Sequence, residues 1–184
     1  MDRCIQPRLV RLSKLEAARR QIESAIWIWF VGEDYVSVYA LSASAHRLLH
    51  ETAAVRECAT WPYAGSYITE PKAKTPRLDS EDGVSYFNSA KQLETYEISE
   101  QWTETNLFDA VMAYSSQVDS QSPSALMATF VVRFGVQRQD LFVPNAFSLL
   151  ERKVSKTFNL KRLQALSKIE FLKEFLGVLD CPPE

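Results

Sequence analysis

The chain has 184 residues, 46% of them hydrophobic and 24% charged, with 21 Lys and Arg against 23 Asp and Glu. That balance excludes a disordered or fibrous chain, and the length suits one domain with a sizeable core. A net charge of -2 argues against a surface that coats nucleic acid broadly.

No apolar run reaches the roughly 18–20 residues of a membrane span, and Arg3, Arg8, Arg11 and Lys14 break up the N-terminus before a signal peptide can form. Cys4, Cys58 and Cys181 are widely spaced and odd in number, which fits reduced thiols and a cytoplasmic location. The five glycines are scattered singly, so no GxGxxG, Walker loop or GxSxG elbow can be written. No cofactor is expected.

The elements follow in chain order. Leu12 to Val31 reads as a helix, with Leu15, Ala18, Ile22, Ala25 and Trp29 on one face. Ser13 and Glu16 have capping-box spacing, and Gly32 is a stop. Tyr35 to Cys58 reads as a second helix, rich in small residues and joined closely enough to form an antiparallel hairpin with the first. Residues 61–84, with Pro62, Pro71 and Pro76, predict a long loop. A short helix is expected near Ser85 to Leu93, and a stronger one over Thr103 to Val118, with Thr103 as cap and Glu104 near its positive end.

Ser122-Pro123 opens a helix from Ser124 to about Phe134, although the run Leu126 to Val132 also has strand character. Asn145 to Lys156 and Leu160 to Leu176 read as two final helices, a C-terminal helical extension over 145–184, with Gly177 as the stop. The expected fold is all-α: a single-domain bundle of about five to seven helices.

Charge is uneven. Residues 3–20 hold six basic groups against Glu16, and residues 151–162 hold five against Glu151. Asp79 to Asp109 is acidic, with Lys91 its one base. Either these segments complement one another in the fold, or the basic ones offer a surface to nucleic acid.

His46 and His50 are four apart on the second helix and point the same way, the spacing of a metal or proton-transfer pair. They are candidates for catalysis together with Arg47 and Asp109. The alternative is a pair of boundary histidines. An Arg-x4-6-His motif, used by helical-bundle ribonucleases of the HEPN superfamily, is absent, because two residues separate Arg47 from His50. Trp27, Trp29 and Phe30 cluster at the first hairpin, and Trp61 and Tyr63 open the long loop. These aromatics are candidate interaction anchors or core residues.

The segment Lys14-Leu15-Glu16-Ala17-Ala18-Arg19-Arg20-Gln21-Ile22, then Asp34-Tyr35-Val36-Ser37, then Thr103-Glu104-Thr105-Asn106-Leu107-Phe108-Asp109-Ala110 to Tyr114 follows an EAAxRQ…DxVSxxxL…TExxLFDAxxxY pattern. Over residues 12–134 the chain resembles a family of bacterial helical proteins that carries this pattern. The resemblance implies bacterial origin and a helical fold, and carries no activity with it. The family's central Lys-His pair is replaced by Asn88-Ser89, and Tyr39 stands where relatives often have His.

The expected function is protein binding or self-association by a cytoplasmic bacterial helical protein, with a protein partner or homo-oligomer and no membrane. The competing expectations are a His-centred nuclease-like or metal-dependent enzyme, and a nucleic-acid-binding regulator using residues 3–20 and 151–162.

Overall fold

Ser13 starts the first helix: its Oγ accepts a hydrogen bond from the Glu16 backbone N–H at 3.1 Å. The reciprocal half of the capping box is not made. The Glu16 carboxylate turns to Arg20 Nε at 2.9 Å and Arg19 Nη1 at 3.8 Å. In the computed structural model, which describes residues 11–32, 34–55, 98–118, 123–156 and 158–180, this helix is α1, Lys14–Val31. Gly32 ends it with its N–H on the Ile28 carbonyl, in an extended rather than left-handed conformation.

Asp34 caps α2, Tyr35–Val55, accepting from the Ser37 N–H at 3.1 Å. Gln21 meets Ser44 and Lys14 meets Glu51, so α1 and α2 run antiparallel, as the hairpin reading expects. Ala18, Ile22 and Ala25 of α1 and Ala45 and Leu49 of α2 are buried in one core cluster. The small side chains of α2 allow a close approach of the two helices.

The third helix, α3, spans Glu100–Gln117, beginning three residues before the expected start. Thr103 is therefore not its cap. It is fully buried inside the helix and donates its hydroxyl to the Ser99 carbonyl at 3.0 Å. Tyr39 faces Trp102, and Ser42 accepts from Asn106 at 3.0 Å, so α2 and α3 run parallel.

Ser124 caps α4, Ala125–Gln137, through the Met127 N–H, and Pro123 stands just outside it. The segment is helix, not strand, because Met127, Phe130 and Phe134 all reach the core from one helical face. A 3-10 turn, Gln139–Leu141, leads to α5, Pro144–Val154. Gly135 lets Leu150 of α5 approach α4. A Cβ there would lie 2.1 Å from Leu150 Cδ2, so an alanine would force that side chain aside.

The expected single helix over Leu160 to Leu176 is broken. α6 is Leu160–Ala165 and α7 is Lys168–Asp180. At the break, Ser167 Oγ accepts from the Glu170 N–H at 3.3 Å, and the Glu170 carboxylate accepts from the Ser167 N–H at 2.9 Å. This is a complete capping box, and it starts a new helix inside a continuous apolar periodicity. Gly177 does not end α7, which runs on to Asp180.

The described residues thus form an all-α fold of seven α-helices and no strand. One core joins them. Trp29 of α1 meets Phe130 of α4 edge-on, with ring centroids 5.0 Å apart, and Phe130, Phe134 and Phe108 continue the aromatic row. Leu163, Phe171, Leu172 and Phe175 of the last two helices belong to the same buried cluster. The expected loop over 61–84 and the short helix near Ser85 lie outside the described residues.

Candidate functional site

The two histidines are placed unequally by the α2 geometry. His46 is half-buried, and His50, one turn on, is exposed. Burial, with His50 close by, holds the His46 imidazole below the ordinary histidine range. Arg47 lies on the solvent side and engages Glu51 at 3.3 Å. Asp109 is half-buried on α3. The parallel register that pairs Ser42 with Asn106 carries His46 to the level of Ala110, one residue from Asp109. Among the described residues, no three His, Cys, Asp or Glu side chains come together as a metal-holding group.

The aromatic candidates separate onto opposite faces of α1. Trp29 is 1% exposed and Phe30 is buried with it, so both belong to the core. Trp27 points the other way and is 53% exposed, with Val31 at 52%. Arg20, Ser24, Trp27 and Val31 are all exposed and follow one another at 4-3-4 spacing, a single stripe along α1. Beside it, Ile28 and Leu126 of α4 floor a shallow groove of about 570 Å³ that also takes in Arg20, Glu23, Ser24 and Trp27. Trp61 and Tyr63 lie outside the described residues.

The first basic segment is answered in part from within the fold, and of residues 151–162 Arg162 is. Lys14 pairs with Glu51, Arg19 with Glu23, Arg20 with Glu16 and Arg162 with Glu174. Residues 3–10 lie outside the described residues. Lys156 and Lys161 border an open groove between α5 and α6 with Phe147, Glu151 and Phe158.

A further polar cluster escapes the sequence reading. Glu104, expected near the positive end of its helix, is only 4% exposed. Its Oε1 accepts from the Trp29 indole N–H at 2.9 Å, and its Oε2 from Arg138 Nη1 at 3.4 Å. Burial raises its pKa above the usual carboxylate range, against the pull of the Trp29 hydrogen bond and of Lys168 and Arg138. Lys168, the first residue of α7, lays its ammonium 4.2 Å from the Trp29 ring centroid and 5.5 Å from that of Tyr35. It donates to the Tyr35 hydroxyl at 3.4 Å and stands 3.9 Å from both Glu100 and Glu104. The Tyr35 hydroxyl in turn donates to Glu100.

A local signal for Lys168 existed in Ser167-Lys168-Ile169-Glu170, a capping-box spacing. Nothing local marks the pairing of Trp29 with Glu104 across 75 positions.

No protein-family model, curated protein or solved structure matches the chain. No helix among the described residues is long and apolar enough to cross a membrane.

Proposed function

We propose that the chain acts by protein binding and that its partner is a second copy of itself, docked through the outer stripe of α1. The observation that carries this is Trp27, a large aromatic left half-exposed among Val31, Ile28 and Leu126 while its neighbours Trp29 and Phe30 are buried. Aromatic side chains held out on a rigid helix are typical anchors of protein interfaces.

A second copy fits the stripe because the stripe is self-complementary. An antiparallel pair of α1 helices crossing at Ser24 brings Arg20 of each copy over Trp27 of the other, a cation–π arrangement. Ser24, small and exposed at the crossing, lets the helices approach. Arg19 pairs with Glu23 and Arg20 with Glu16 along α1, which limits net charge repulsion at the stripe.

Sedimentation equilibrium tests the proposal. The wild type is expected to be dimeric, and Trp27→Glu or Ser24→Arg monomeric with unchanged helicity and thermal midpoint. A wild type that stays monomeric at every accessible concentration overturns it.

The bacterial, cytoplasmic setting and the kinship over residues 12–134 belong to the same proposal. They rest on the reduced cysteine pattern and the motif resemblance. The histidine-centred enzyme gains no support from the geometry: Arg47 is turned to Glu51, and His50 sits at the exposed side of α2.

A further inference from the structure

Four cations at the junction of α5 and α6 stand without a carboxylate. Arg152 and Lys153 in the last turn of α5, Lys156 just beyond it and Lys161 in the first turn of α6 are all exposed. Among the described residues none of the four forms an ion pair, whereas Arg162 is held by Glu174 at 3.1 Å. Lys156 and Lys161 border an open groove of about 820 Å³ whose walls also carry Phe147, Phe158, Glu151 and the amides of Asn159 and Gln164. We propose that this groove takes single-stranded nucleic acid, with a base between the helices and the flanking phosphates on Arg152, Lys156 and Lys161.

Sites for single strands join cations that follow the phosphates to aromatic rings on which bases stack. Side-chain amides add donors and acceptors for the base edges. Phe147 and Phe158 are both half-buried against the core and still reach the groove. Phe158 stacks on Phe175 with ring centroids 4.9 Å apart, which holds its ring in place. Rings already held in place lose little freedom when a base covers them. Lys161 gains nothing from its own helix, because the positive end of the macrodipole disfavours a cation there.

Glu151 decides between classes of partner. It stands on the α5 wall one turn from Phe147, and no cation of the described residues pairs with it. An acidic peptide would bring its own carboxylates against Glu151. A nucleic acid keeps its charge on the backbone and offers the amino group of cytosine or adenine to a carboxylate. A duplex hides the base faces that Phe147 and Phe158 would meet. The groove shares no residue with the α1 stripe, so loss of one surface leaves the other intact.

Fluorescence anisotropy of labelled ten-nucleotide oligocytidine, as RNA and as DNA, against the full chain tests the proposal. Saturable binding is expected at low salt, weakening about twentyfold between about 50 and 200 mM potassium chloride as three phosphates are neutralised. Lys156→Gln/Lys161→Gln should bind more weakly, with a logarithmic salt slope shallower by about 1.4. Phe147→Ala should weaken binding about fivefold or more with the slope unchanged. Circular dichroism reports folding, and should Phe147→Ala fail to fold, Phe147→Leu takes its place. Binding of either strand supports the proposal and identifies the strand preferred. No saturable binding at the lower salt overturns it, as does a folded lysine or Phe147 variant that binds like the wild type. A decaglutamate peptide or a duplex that binds as tightly as oligocytidine overturns it too.

Discussion

Arg133 is 2% exposed, yet no carboxylate faces it among the described residues. Its guanidinium donates to the Leu163 carbonyl at 2.8 Å and the Leu166 carbonyl at 2.6 Å, and lies over the Phe171 ring. The charge is spread over backbone oxygens that the end of α6 leaves without helical partners. Arg133→Met is expected to cost about 2–4 kcal/mol in chemical denaturation, since it strands those carbonyls in the interior.

Glu104 makes a contrasting prediction. Its folded pKa is raised, so its stabilising contribution is fully present below the ordinary carboxylate pKa and is lost as pH rises through the folded value. Glu104→Gln keeps an acceptor for the Trp29 indole and should gain stability relative to wild type over that rise. Glu104→Ala leaves the indole N–H unpaired and should be the less stable of the two at every pH.

His46 runs the other way. Its pKa is depressed, so stability is present above the ordinary histidine range and is lost as pH falls through the lower folded value. His46→Gln should flatten that loss in a pH series of denaturant midpoints. None of these environments was legible in the sequence, because each depends on burial under helices distant in the chain. The spacing of His46 and His50 shows a shared side of α2 and says nothing of how deep that side lies.

At the level of single helices, the apolar periodicity predicts position and type well. Lys14–Val31, Tyr35–Val55 and Ala125–Gln137 begin within two residues of where the pattern begins. Ends are set instead by short polar side chains. Asp34 is one such side chain that the apolar pattern passes over. The Ser37 hydroxyl and N–H both donate to its carboxylate and hold its pKa below the usual value. Asp34→Ala should cost about 1 kcal/mol, the usual worth of such a cap.

Ser167 is the more telling case. The apolar spacing from Leu163 to Phe175 is continuous, and a reader following it sees one helix. The capping box overrides it and turns the chain at Leu166, which points that carbonyl at Arg133. Ser167→Ala should therefore lower the thermal midpoint, and its effect should be non-additive with Arg133→Met in a double-mutant cycle.

Across the whole bundle, the all-α class and the α1–α2 hairpin follow from patterning alone, whereas the parallel partnership of α2 with α3 does not. Periodicity identifies which face of a helix is greasy but not the direction of the neighbour it meets. The partnership shapes how the molecule assembles. Gln21 and Ser44 meet across 23 positions, while Ser42 and Asn106 meet across 64. Closing the longer span costs about 1 kcal/mol more chain entropy, so the hairpin condenses first and α3 docks onto it afterwards. Stopped-flow traces should show Ile22→Val slowing refolding, whereas Leu107→Ala should chiefly hasten unfolding.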